Sequence, residues 1–309
     1  MQDVNGKTAF ITGGASGMGL GMAHAFAEAG MKVVIADIRD EALAEAMKTF
    51  ENTNLAVTPI RLDVTDREGW KAAVDEAERI YGNIHVLALN AGVGVLGPLQ
   101  QATYKDWDFG LAVNLGGVVN GVMTVLPRML AHGEESHIVT TSSTGGFSAV
   151  GGAGIYCTAK FAVAGFMETL ATDLRGTNVG ASVFFPGPVE TALNSTTHET
   201  RPAHLKNEAP PPAMVGQRDT RPAPGYDMSL FMSKEEVGLR VLRGIRRGDL
   251  FIMSHPEFRN GIVARNEALL RAIPDEPAHE ARAALVRQFG TLMYNPIYDT
   301  QKKVPGEKF

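Results

Sequence analysis

The chain has 309 residues, a formal net charge of −5 and 44% hydrophobic residues, outside the weakly hydrophobic, strongly charged regime of disorder. Mild acidity without a basic stretch excludes a surface that neutralises many phosphates, so no nucleic-acid partner is expected. Cys157 is the single cysteine, which excludes an intramolecular disulfide; residues 1–6 show no secretory signature and no apolar run approaches the length of a membrane span, so a cytoplasmic protein with no membrane partner is expected.

Apolar runs at 8–12, 33–37, 57–62, 86–90, 137–142 and 181–185 read as strands. Amphipathic stretches between them read as helices at about 18–29, 40–50, 65–81, 103–130 and 153–175. A capping box of Thr65 and Glu68 is expected to open the third helix, and Thr103 with Asp106 the fourth. Strands alternating with helices predict an α/β fold, a doubly wound parallel sheet with helices on both faces. Ligands in such sheets bind beyond the carboxyl ends of the strands, where the strand order reverses. After Phe185 the texture changes. Eight prolines fall within 186–227, and no period is visible until Ser233 and Glu236 form another capping box. Val237, Val241 and Ile245 then mark one apolar helical face, 250–253 reads as a further strand, and two helices are expected beyond Pro256. No internal repeat is present.

Thr12-Gly13-Gly14-Ala15-Ser16-Gly17-Met18-Gly19 joins the first strand to the first helix. Glycines there let the backbone turn tightly and approach a pyrophosphate, which the free N–H groups of the helix N-terminus would hold. The competing reading is a structural glycine turn, because the spacing is not GxGxxG. Asp37 ends the second strand about twenty residues on, where an acid can bind a ribose 2′-hydroxyl and repel a 2′-phosphate. NAD is therefore the expected cofactor, with Ser16 and Ile38 offering no compensating cation. Arg39 is taken as a surface residue at a helix start, its alternative being a contact to the phosphate of NADP.

Tyr156 and Lys160 are four apart on a predicted helix and share a face. An ammonium near a phenol favours the tyrosinate that an acid–base catalyst needs. The pair alone also fits a surface helical contact. The eight histidines show no close ligand spacing, so no metal is assigned. Cys157 reads as a small packing residue.

These segments occur together in order with Asn90-Ala91-Gly92, Ser143 and Pro186-Gly187, and the chain resembles the short-chain dehydrogenase/reductase family over about residues 5–195. The resemblance implies a Rossmann-like fold and hydride transfer between NAD and an alcohol or ketone; the domain is expected to span 1–255, with 256–309 a helical extension packed on it. It implies that Tyr156 is the proton donor and acceptor and that Ser143 holds the substrate oxygen, with Ser142 as the competitor. It implies that Asn114 positions a water for a relay through Lys160, which also holds the nicotinamide ribose. Asp63 and Val64 would flank the adenine, Asn90 would support the central sheet, and Val189 and Thr191 would meet the nicotinamide carboxamide. Pairing of the fourth and fifth helices into a homodimer or homotetramer is also implied.

Residues 102–108, 113–115 and 119–123, with the long segment beyond 195, are similar to bacterial Cα-dehydrogenases that oxidise benzylic alcohols of lignin-type β-aryl ethers. A bulky aryl alcohol is the substrate this implies, a steroid-like, polyol or ketoacyl substrate being the alternative. A non-catalytic NAD sensor is a third reading, and the intact Asn114, Ser143, Tyr156 and Lys160 set argues against it. The segment at about 194–232 is expected to be a substrate lid, with Met214, Tyr226, Met228, Leu230, Phe231 and Met232 walling an apolar pocket.

Overall fold

The computed structural model describes residues 1–208, 227–290 and 294–306. In chain order the regular elements are β1 (Thr8–Thr12), α1 (Gly17–Glu28), β2 (Lys32–Asp37), α2 (Asp40–Lys48), β3 (Val57–Arg61), α3 (Arg67–Tyr81), β4 (Ile84–Leu89), α4 (Tyr104–Leu111), α5 (Gly117–His132), β5 (Ser136–Thr141), α6 (Gly154–Asp173), β6 (Val179–Phe185), α7 (Leu193–Thr200), α8 (Lys234–Arg247), β7 (Phe251–Met253), α9 (Arg259–Arg271) and α10 (Glu280–Gln288). The strands form one parallel sheet in the order β3-β2-β1-β4-β5-β6-β7.

Alternation along the strands builds two cores, one on each face. Ala9, Ile11, Val33, Ile35, Val86 and Ala88 face a layer that includes Phe26 of α1 and Val237, Val241 and Ile245 of α8. Phe10, Val34, Leu87 and Leu89 face Trp70 of α3, Val118 and Val122 of α5, and Val163 and Met167 of α6. Strands covered on both sides read as continuous apolar runs, which is what made them visible in the sequence. The order reverses between β1 and β4, so the chain leaves these two neighbouring strands toward opposite faces and a crevice opens between their ends.

Several boundaries differ from expectation. Asp66 caps α3, accepting a hydrogen bond from the Glu68 N–H, while Thr65 turns back to donate to Asp63. The box at Thr103 and Asp106 forms, and Ser233 caps α8. The expected single helix of 103–130 is α4 and α5 joined by a π-helical turn at Ala112–Gly116 that contains Asn114. Tyr104–His132 is long and apolar enough to cross a membrane, against the sequence expectation. It is a core helix here, with Val118, Val122, Val125 and Met129 buried under the sheet.

Within the expected lid, α7 is a helix that the sequence did not announce; its residues are mostly polar and only Thr197 is buried. Met214 and Tyr226 lie outside the described residues. Leu230 is exposed, and Met232 packs on the first core. Both ends of the excursion are tied: the Met232 N–H donates to the Pro188 carbonyl at 3.1 Å and the Glu190 N–H to the Met232 carbonyl at 3.2 Å. α9 and α10 bury no residue, whereas Phe258 before them and Ile297 after them pack on the body.

Candidate active site

A cleft of about 620 Å³ lies over the carboxyl ends of β1, β2, β4 and β5, within the size range of small-molecule and cofactor sites. Its floor is built by glycine geometry. Gly13 and Gly17 adopt φ of +62° and +50°, the left-handed region that other residues enter only at a cost. Gly19 lies against the Gly13 carbonyl, and a Cβ there would also stand 2.7 Å from Asn90 Nδ2. Ser16, the N-cap of α1, makes no side-chain cap bond, and the first turn holds no acid. The opening N–H groups of α1 are thus available to an anion. These features fit the pyrophosphate of a dinucleotide.

Asp37 is buried at the end of β2 and accepts from the Arg39 backbone N–H at 3.1 Å, from Nε at 3.1 Å and from Nη2 at 3.3 Å. Arg39 Nη2 also donates to Ser16 Oγ at 2.9 Å. Arg39 is therefore not the surface residue expected from the sequence, because its guanidinium folds back into the cleft wall beside Asp37. Asp63 and Val64 line the opposite wall of this end. Asn90 ties three strands, donating to the Thr12 and Gly13 carbonyls at 3.3 Å and accepting from Thr141 Oγ1 at 3.2 Å.

At the other end stand the acid–base candidates. Tyr156 and Lys160 share the inner face of α6, with Lys160 Nζ 5.6 Å from the phenol ring centre. Lys160 is buried and donates to the Thr141 carbonyl at 2.8 Å; burial pulls its ammonium down to about 8. Burial raises the Tyr156 phenol, against the lowering expected from the nearby ammonium, and Ser143 draws it part of the way back.

Ser142 and Ser143 separate cleanly. Ser142 Oγ is spent on the Lys160 carbonyl at 2.8 Å, while Ser143 Oγ accepts from the Gly145 N–H at 3.1 Å and, like the Tyr156 ring, lies 3.6 Å from where a Cβ on Gly145 would project. Asn114 commits its whole amide to Val93, accepting from the N–H and donating to the carbonyl, both at 2.9 Å. A Cβ on Gly92 would reach Asn114 Oδ1 at 2.9 Å and Lys160 Nζ at 3.6 Å, so the two side chains flank the Gly92 backbone.

Gly13, Ser16, Gly17, Met18, Asp37, Asp63, Val64, Asn90, Ala91, Gly92, Tyr156, Lys160 and Thr191 all face the cleft. Gly19, Asn114, Ser143, Pro186, Gly187 and Val189 are not among the residues that line it, whereas Ser142 is. Thr191 reaches across to Gly17, its Cγ2 3.4 Å from where a Cβ would project. Val189 is buried in the core and bridges to Met232. Within the expected lid segment, residues that the sequence did not single out line the cleft: Thr196, Thr200 and Leu205. Thr197 Oγ1 accepts from the Gly94 N–H at 2.7 Å, Arg201 pairs with Asp106 at 2.7 Å, and Glu199 approaches Arg39 to 3.9 Å. No cluster of metal-ligating side chains occurs among the described residues.

A model of the short chain dehydrogenase family matches residues 7–202. The chain is 35% identical to the C alpha-dehydrogenase of Sphingobium sp. strain SYK-6, over 88% of each chain. Its structure is similar to the apo form of LigO from the same organism, at 37% identity and a TM-score of 0.75 over 99% of this chain and all of that one. It is also similar to a short chain dehydrogenase/reductase from Burkholderia phymatum in complex with NAD, at 34% identity and a TM-score of 0.79 over 90% of this chain and all of that one.

Proposed function

From the premise that the chain belongs to the short-chain dehydrogenase family, whose members are oxidoreductases using nicotinamide cofactors, we propose that it interconverts a secondary alcohol and a ketone with NAD, and that its substrate is a bulky benzylic alcohol. The observation that carries the chemistry is the grouping of Tyr156, Ser143 and buried Lys160: Ser143 Oγ and the Tyr156 ring flank Gly145, and the ammonium stands 5.6 Å from the phenol ring centre. Tyr156 takes the hydroxyl proton in oxidation and returns it in reduction. Ser143 fixes the substrate oxygen next to that phenol. NAD supplies the hydride acceptor and, when oxidised, a positive charge that favours the tyrosinate. Lys160 holds the nicotinamide ribose and passes protons away from the site. Asn114 serves that relay by setting the Gly92–Val93 backbone beside the ammonium. Asp37 accepts the adenosine ribose hydroxyl, and Thr191 stands at the nicotinamide end.

The aryl reading rests on the similarity to a C alpha-dehydrogenase over 88% of the chain. An apolar patch beside the start of α6 also supports it. The loop before α4 and the loop before α6 are zipped by the Gly97 N–H donating to the Gly152 carbonyl at 2.7 Å, and they expose Leu96, Leu99 and Val150, with Leu99 against Gly154. Residues 1–255 are proposed as the catalytic domain of a cytoplasmic homo-oligomer, 256–309 as its extension, and the excursion at about 194–232 as the lid. Incubating the protein with NAD and a panel of benzylic, steroidal, polyol and hydroxyacyl alcohols tests the proposal. NADH formation with benzylic secondary alcohols is expected. Turnover restricted to another class would overturn the substrate, and none with any would overturn the activity.

A further inference from the structure

The turn at 186–188 lies between β6 and Thr191, and it is held from behind by the residues that follow β7. Ser254, fully buried at the end of β7, accepts from the Gly187 N–H at 2.9 Å. Its hydroxyl stands 2.6 Å from His255 Nδ1 and 3.1 Å from the Phe185 carbonyl. That carbonyl already has a donor, the Ser254 N–H at 3.3 Å. In the tautomer protonated at Nε2 the His255 Nδ1 accepts the Ser254 proton, leaving the hydroxyl oxygen to accept from Gly187. The Pro188 carbonyl also faces the ring. Phe258 packs on the Gly187 α-carbon, so that no side chain fits there.

The same aromatic group reaches the other wall of the site. Phe258 lies 6.1 Å from Phe147, which lies 5.3 Å from Phe185. Phe147 closes the short helical turn that Ser143 caps, and the Thr144 N–H donates to the Pro186 carbonyl at 3.0 Å. One patch of residues from beyond β7 thus holds the Ser143 loop and the turn leading to Thr191 in fixed relation.

We propose that His255, acting through Ser254, is a positioning residue for cofactor binding: its ring fixes the turn at 186–188, and with it the wall of the cleft at Thr191. The inference rests on the reading of that wall as the nicotinamide end. A substitution at His255 that cannot accept the Ser254 proton frees the hydroxyl to turn to Phe185 and loosens the turn. Burial lowers the ring's pKa, and Glu257, Arg240 and Glu236 are the charged groups that face it. Burial thus favours the neutral ring that the network needs.

The test uses the full chain and titrates NADH by fluorescence, with kcat, the KM for NAD and the melting temperature measured on the same variants. His255→Leu and Ser254→Ala are each expected to weaken NADH binding and raise the KM for NAD about ten-fold at near-normal kcat, the scale of one lost buried hydrogen-bond partner. His255→Asn, whose Oδ1 can accept from Ser254, is expected to restore binding to within about three-fold. If His255→Leu does not fold, Ser254→Ala decides alone. NADH affinity and KM unchanged in the variants that fold would overturn the proposal. So would a loss that only follows melting temperature and is not rescued by asparagine. The NADH titration reads this inference without any alcohol, so a wild-type protein that oxidises none of the panel refutes the proposed activity separately.

Discussion

Replacing Asp37 with asparagine separates the roles of two neighbouring charges. The carboxylate is the acceptor proposed for the ribose 2′-hydroxyl, and it also holds Arg39 by three hydrogen bonds. Asparagine keeps one acceptor oxygen but puts an NH₂ where the second oxygen meets Arg39 Nη2. The guanidinium then loses that contact and keeps Ser16 as a partner. For NAD the change removes a hydrogen bond to a charged group, about 1.5–3 kcal/mol or roughly ten- to a hundred-fold in kcat/KM. For NADP it removes a like charge about 5 Å from the phosphate, about 3 kcal/mol at an effective dielectric near 20. Arg39 already neutralises much of that repulsion, so only about 1 kcal/mol of it is expected to appear. The ratio of efficiencies should move toward NADP by about 10²–10³ in total, read from initial rates of reduced-cofactor formation with each nucleotide. Asp37→Asn combined with Arg39→Ala should lose the gain on NADP and keep the loss on NAD. A ratio that shifts by less than about three-fold in the single variant would refute the placement of the ribose against Asp37.

Gly19→Ala places a methyl against the Gly13 carbonyl and 2.7 Å from Asn90 Nδ2; loss of measurable NADH binding by titration is expected, and wild-type affinity would contradict the close approach at the glycine turn. The lid segment should gain protection against hydrogen exchange over residues 193–208 when NAD and an oxidised alcohol are present, and Arg201→Ala, which breaks the pair with Asp106, should weaken that gain. Equal exchange with and without ligands would remove the lid from the account. Glu134 at the opposite end of the sheet is held down to about 2 by Lys7, Asn83 and His85. Its stabilisation is present above the unfolded carboxyl range and lost as pH falls toward about 2. Glu134→Gln should therefore lower the melting temperature at neutral pH, with the difference shrinking in acid, and a difference independent of pH would contradict the assignment.

The sheet was legible because strands buried on both faces are continuous apolar runs, and the glycine turn, Asp37 and the Tyr156–Lys160 pair because each is contiguous or spaced by one helical turn. What depends on side-chain direction was not legible. Nothing in the order Asp37-Ile38-Arg39 says that the guanidinium turns back onto the carboxylate and Ser16 rather than into solvent. Ser142 and Ser143 are neighbours at the end of β5, and only the three-dimensional placement of α6 gives one to the Lys160 carbonyl and the other to Tyr156. Helix α7 was hidden because a polar sequence that buries only Thr197 carries no apolar period. The contacts of His255 and Phe258 with Gly187 join residues far apart in sequence, from a region in which no motif was visible. The π turn around Asn114 leaves no mark on the helical pattern at all.

The central claim is that Tyr156 moves the proton while hydride passes between NAD and a secondary alcohol carbon. Tyr156→Phe keeps the ring and its packing and removes only the hydroxyl. Single-turnover oxidation of a benzylic secondary alcohol, with NADH binding titrated alongside, should show affinity nearly unchanged and a rate lower by about 10²–10⁴. A rate within about three-fold of wild type at the same affinity would place the acid–base group elsewhere.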